Sequence, residues 1–182
     1  MNQQNVALEQ SIKGVFEARQ DRSRRSRDAF IESGIALLNE FRFNDLKVSD
    51  LARHSGRSVG SFYKRFEDKE AFFRALQAST VARDRKIIEL RLDADRLNSL
   101  APQEVMDELV DTLVDIFSSE VRGVLRESLL RILEPVDGWA PMRKSGQDVQ
   151  QRIVNRLRSA YPGRSEMDTE RKLRFCYQIV VG

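Results

Sequence analysis

Apolar residues recur every three to four positions along most of the chain, the spacing that lines one face of an α-helix. Sustained two-residue alternation is missing, and no Asn-Gly or Asp-Gly hairpin joins β-branched runs, so the pattern predicts an all-α protein. Phe30, Gly34, Leu37, Leu38 and Phe41 predict a first helix over about 24–40. Val48, Leu51 and Ala52 predict a short second helix ending at Ser55-Gly56, and Ser58 is placed to cap a short third one. Asp68 caps a fourth, predicted to run from 69 to about 95 through Phe72, Phe73, Leu76, Ile87 and Ile88. Pro102 opens a helix with the stripe Val105, Met106, Leu109, Val110, Leu113, Ile116 and Phe117. Val121, Val124, Leu125, Leu129, Ile132 and Leu133 form the next, stopped by Pro135 and an Asp137-Gly138 turn. Val149, Ile153, Leu157 and Tyr161 repeat until Pro162-Gly163, and 173–181 is apolar nearly all round, which implies burial on several sides. A buried-looking helix that stops at Gly182 after about three turns is abrupt, and fits a chain that continues beyond it.

The 182 residues suffice for one sizeable core, or for a small domain packed on a larger one. A composition 41% hydrophobic and 32% charged is that of a folded protein, and no apolar run approaches the ~20 residues of a spanning helix. The first residues show no secretory pattern, so the expected location is cytoplasmic and no membrane partner is expected. The single cysteine, Cys176, cannot form an intrachain disulfide and is read as a small buried hydrophobe.

The net charge of +3 is modest, but it is unevenly placed. Residues 1–76 carry 14 Lys plus Arg against 11 Asp plus Glu, whereas the remainder carries 17 of each. Arg53, Arg57, Lys64 and Arg65 fall in one stretch without an acid, which suits an anionic polymer. In that stretch the short second and third helices, broken at Gly56, form a helix-turn-helix whose second helix would lie in the major groove of DNA. Gly56 frees the backbone at the tight turn. Phe62 and Phe66, four apart, are expected to face back onto Phe43, Val48 and Leu51. The opposite face is then Val59, Ser61, Tyr63, Lys64 and Arg65, small at the front and cationic behind. Gly60 and Ser61 are poor helix formers, the glycine by roughly 1 kcal/mol, but they let a first turn press against base edges. Tyr63, Lys64, Arg65 and Lys69 are placed to reach phosphate oxygens or guanine edges.

The run from about Arg27 to Leu76 resembles the DNA-binding domain of TetR/AcrR family transcriptional regulators. The resemblance is carried by Val48-x-x-Leu51-Ala52, by Ser55-Gly56-x-Ser58-x-Gly60-x-Phe62-Tyr63-x-x-Phe66 and by Lys69-Glu70. It implies that Tyr63 and Lys69 grip phosphates, that Val59, Gly60, Ser61, Lys64 and Arg65 face the groove, and that Ser49 approaches DNA. Arg42 replaces a glycine common in the family. Lys47 replaces a threonine, exchanging a cap for a possible phosphate contact. Arg57 replaces a valine and adds a cation, and Ser58 completes the expected DNA-binding set. The resemblance also implies a helical second domain that binds a small-molecule effector and dimerises. The expected organisation is an N-terminal extension over 1–23, a helix-turn-helix domain over 24–76 and an effector-binding, dimerisation domain over 77–182, joined by the long fourth helix. The expected function is a homodimeric regulator, a repressor released from a palindromic operator by its effector.

Plainer readings compete at several positions. His54, the only histidine, has no companions at ligand spacing, so no metal, cofactor or histidine catalysis is expected. Asp107, Asp111 and Asp115 read as the wet face of a helix. The arginines from Arg19 to Arg27 suit either a solubilising lead or a basic arm on DNA. Phe117, Trp139, Tyr161, Phe175 and Tyr177 are candidates for lining an effector cavity, though such residues are often simply core. The rival functions are a helical small-molecule-binding enzyme, for which no catalytic constellation is found, and a protein-interaction module that does not read DNA.

Overall fold

The computed structural model describes residues 12–16, 21–131, 140–159, 170–172 and 174–175. Among these the regular elements are all helical: α1 (Asp21–Glu40), α2 (Val48–His54), α3 (Val59–Tyr63), α4 (Lys69–Arg91), α5 (Ala94–Ser99), α6 (Pro102–Ser118), α7 (Arg122–Leu130) and α8 (Ala140–Ser159). A single antiparallel bridge, Val15 with Phe66, lies outside them. The chain divides into two compact units, 1–82 with 117–141, and 83–116 with 142–182, so the cut falls inside α4. The helix α7 thus folds with the N-terminal residues, although the family resemblance places it in a second domain. Pro135, the Asp137-Gly138 turn, Cys176 and most of the apolar segment 173–181 lie outside the described residues.

The first unit is built on aromatic rings. Phe62 meets Phe30 and Phe72 edge-on at centroid distances of 5.4 Å, and Phe66 meets Phe62 at 5.1 Å and Phe72 at 5.0 Å. All four are fully buried. The pattern's inward side for Phe62 and Phe66 is therefore correct, but their ring partners come from α1 and α4, while Phe43 meets Phe73 in a tilted contact at 4.8 Å. Gly34 makes this packing possible, since a Cβ there would lie 2.6 Å from the Phe72 ring. Against α1 lies α7. Asn39 donates to the Glu120 carbonyl and accepts from the Gly123 amide, and Arg126 donates to the Leu38 and Phe41 carbonyls. Buried Glu127 accepts from Arg42 at 2.6 Å, and buried Gln77 donates to Ser128 at 3.0 Å. Each buried polar group named here is thereby satisfied, which keeps its burial affordable.

The second unit closes around Leu92, Leu97, Val105, Leu109, Val149, Ile153 and Leu157. The fourth helix stops at Arg91 rather than near residue 95 because Asp93 accepts from the Asp95 and Arg96 amides and starts α5 afresh. The stripe of α6 is narrower than its sequence suggests: Val105, Leu109, Thr112 and Ile116 are buried, while Val110, Val114 and Phe117 are exposed. Glu108 accepts from Arg96 and Arg91 at 2.7 and 2.6 Å, and these bonds hold its carboxyl below the usual range.

Asp84 is buried, and desolvation pushes its pKa up to about 6 against a weaker opposing effect of Arg83. The native state therefore holds this proton more tightly than the unfolded chain. The resulting stability is fully present below the unfolded pKa of 3.8 and is lost as pH rises through about 6. Asp84→Asn should accordingly raise the thermal midpoint at pH 7.5, by an amount equivalent to about 1–2 kcal/mol, with the gain vanishing below pH 4. A gain independent of pH would contradict the assignment.

Candidate nucleic-acid interface

The helix α2 begins at Lys47, whose amide donates to the Asp50 carboxylate at 3.3 Å, so Asp50 supplies a bond that the lysine side chain cannot. It ends in a six-to-one closure: the Arg57 amide donates to the Ala52 carbonyl at 2.9 Å and the Gly56 amide to Arg53 at 3.2 Å. Gly56 sits at φ +63, the left-handed conformation that this closure requires. Ser58 then caps α3, accepting from the Ser61 amide at 3.1 Å. The turn chemistry thus fixes α3 relative to α2, and Phe62 anchors it from beneath.

The side chains expected to meet DNA divide by exposure. Lys47, Ser49, Arg57, Ser58, Val59, Gly60, Tyr63 and Lys64 are exposed, Tyr63 by 52%. Ser61 and Arg65 are half-buried: the Ser61 hydroxyl bonds Ser58, and Arg65 donates from Nη1 to the Lys64 carbonyl while its Nε is buried without a hydrogen-bond partner. Nearby Arg53 is exposed but engaged by Asp50 at 2.9 Å.

Gly60 is the informative residue. A Cβ there would meet nothing nearer than the Ser58 hydroxyl at 3.9 Å, and Gly60 is absent from the positive-φ residues. Neither packing within the protein nor backbone conformation calls for glycine at this position.

Lys69 stands apart from the other expected contacts. Its ammonium donates to the carbonyls of Phe43, Asn44 and Leu46 at 2.8, 3.3 and 2.9 Å, and lies 4.6 Å from the Phe43 ring centroid. Desolvation lowers its pKa, and Arg131 adds to the lowering while Glu70 opposes it. All three donors face the α1–α2 corner, which Lys69 shapes from within. His54 pairs through Nδ1 with the buried Ser33 hydroxyl at 3.0 Å. Of the expected effector residues, Phe117 and Phe175 are exposed by 41% and 62%, and Trp139, Tyr161 and Tyr177 lie outside the described residues.

Residues 30–76, the span that contains this helix-turn-helix, match the family described as bacterial regulatory proteins, tetR family. Over that span the chain carries a DNA-binding domain of the tetR type. That domain is a DNA-binding helix-turn-helix of the kind found in bacterial transcriptional regulators. The fold extends the likeness beyond that domain. A TetR-family protein from Mesorhizobium loti superposes with a TM-score of 0.57 at 17% identity, covering 89% of this chain and 98% of its own. A transcriptional regulator of the TetR/AcrR family from Aquifex aeolicus gives 0.53 at 15%, covering 85% and 99%, and a TetR-family protein from Vibrio parahaemolyticus gives 0.57 at 17%, covering 85% and 87%. At these identities the likeness concerns the fold. No curated protein matches the sequence significantly. Among the described residues, no helix is long and apolar enough to cross a membrane.

The sequence pattern did not single out the backbone of Lys13 to Phe16, which lies against the exit of α3. Its only signal is a glycine followed by Val15 and Phe16, too short a stretch for periodicity to register.

Proposed function

We propose that this regulator is a cytoplasmic homodimeric repressor that reads a palindromic operator through two copies of its helix-turn-helix and is released by a small-molecule effector. The observation that carries the DNA-reading part is Gly60, a weak helix former on an exposed face with no internal reason to be glycine. A demand from outside accounts for it: a base edge brought close to the backbone of α3. Arg57 and Lys64 flank that face as cations and Tyr63 as a hydroxyl, suited to phosphates and guanine edges. Lys47 and Ser49 extend the same role to α2, and Ser61 and Arg65 complete the reading face of α3. In a two-fold reader the α3 helices of the two subunits sit about 34 Å apart. An effector that favours a different separation releases DNA by its differential affinity for the two shapes. The effector and dimer assignments rest on the family resemblance.

Selection from a random DNA pool, followed by measurement of Gly60→Ala on the selected operator, tests this reading. Alanine should leave stability unchanged or raise it by about 0.5–1 kcal/mol, because helix propensity improves. Operator affinity should nevertheless fall. Affinity that rises with stability would remove α3 from the groove. The interaction-module reading predicts no salt dependence, whereas losing one phosphate contact at Lys64 or Arg57 should reduce the slope of log affinity against log salt by about 0.9.

A further inference from the structure

The described N-terminal residues form a clip on the exit of the recognition helix. Ile12 to Val15 make a turn, the Val15 amide donating to the Ile12 carbonyl at 3.1 Å, with Gly14 at φ +81. Positive φ at the third position alone is the mark of a type II turn, which favours glycine there. Directly after it, the Phe16 amide donates to the Arg65 carbonyl and the Glu67 amide donates to the Gly14 carbonyl, both at 2.8 Å. From α4, Arg74 donates Nε and Nη2 to the Lys13 carbonyl at 3.2 and 2.8 Å. The clip thus ties the segment leaving α3 to the first turns of α4. Gly14 is doubly constrained, since a Cβ would also lie 2.8 Å from Glu67 Oε2 and 2.9 Å from Ala71 Cβ.

We propose that this clip is a positioning element for DNA reading and that Gly14 is its positioning residue. The inference rests on the DNA-reading function proposed above. At five residues α3 is too short to hold its own orientation, because helices of that length are marginal without tertiary support. Phe62 and Phe66 fix its inner side. In the turn at Arg65 to Glu67, directly behind Tyr63 and Lys64, the Arg65 and Phe66 amides bond back to the Phe62 carbonyl, whereas the Arg65 carbonyl and the Glu67 amide take their partners from Phe16 and Gly14. Without the clip those groups turn to water, the end of α3 gains freedom, and operator binding must restrict it again. Nonspecific binding, which tolerates many orientations over phosphates, is far less sensitive.

The test is Gly14→Ala in the full chain, with wild-type protein first used to select its operator from a random pool. Amide hydrogen exchange at Phe16 and Glu67 reports the clip, thermal melting reports the fold, and affinities for operator and random DNA report reading. The expected result is rapid exchange at both amides and a melting midpoint close to wild type. Operator affinity should fall about tenfold while affinity for random DNA stays within about twofold, in line with the loss of two modest hydrogen bonds. Exposed amides with unchanged operator affinity overturn the inference and leave the regulator reading intact, as does an equal loss on both DNAs. Amides still protected in the variant overturn the role of Gly14. Wild-type protein that selects no DNA at all overturns both readings.

Discussion

Gly123→Ala should destabilise the N-terminal unit by more than about 3 kcal/mol, a core overpacking effect at the upper end of its range. A Cβ at residue 123 would lie 2.2 Å from the Leu38 carbonyl oxygen and 2.6 Å from the Asn39 nitrogen. Both are backbone atoms of α1, so no side chain can rotate away, and α7 must retreat as a body. Retreat breaks the Gly123 amide bond to Asn39 and pulls Arg126 from the Leu38 carbonyl. It also loosens Glu127 from Arg42 and leaves that buried carboxylate to Arg126 alone, a costlier change than the loss of a surface pair. In thermal melting the expected drop is about 10 °C for a chain of this size. Gly146→Ala on α8 supplies the contrast. Nothing lies within 4 Å of its Cβ position, so it should gain up to about 1 kcal/mol from helix propensity. A Gly123→Ala protein that melts like wild type would mean that the two helices do not approach backbone to backbone.

Much of this architecture can be read from the chain because it depends on local rules. Gly56 follows from the left-handed closure of a helix end, and Ser58 from the free amides at a helix start. The burial of Phe62 and Phe66 follows from four-residue spacing. Spacing says which side of a helix is buried but not what lies opposite. That depends on how helices cross, and the rings that meet Phe62 from other helices belong to Phe30 and Phe72. Lys69 shows the same limit more sharply. In sequence it is one more cation beside an interface, and only the fold brings three carbonyls from Phe43, Asn44 and Leu46 around its ammonium. The stripe of α6 errs differently, since apolar residues at Val110 and Phe117 satisfy helical periodicity while lying on the exposed flank. The Gly14 clip leaves least trace, because one turn and two backbone bonds need almost nothing from side chains.

Phe62→Ala should be the most damaging change for function per atom removed. The ring is fully buried with edge contacts to Phe30 and Phe72, and truncation of such a residue costs about 3–5 kcal/mol through lost transfer energy and the cavity left behind. The loss does not spread evenly. Helices α1 and α4 keep Phe30, Phe66 and Phe72 as a reduced cluster, whereas α3 loses the only fully buried side chain among its own residues. Local opening of α3 therefore becomes nearly free while the rest of the unit remains folded, as happens where few apolar contacts hold an element. Operator affinity should accordingly disappear at temperatures where helical circular dichroism is still mostly native, and the amides of α3 should exchange ahead of those in α1. Phe62→Leu, which keeps much of the volume, should fall between the two in both measurements. If Phe62→Ala bound the operator like wild type with α3 protected, the helix would be held by its turn and the Gly14 clip alone, and the aromatic anchor would be dispensable to reading DNA.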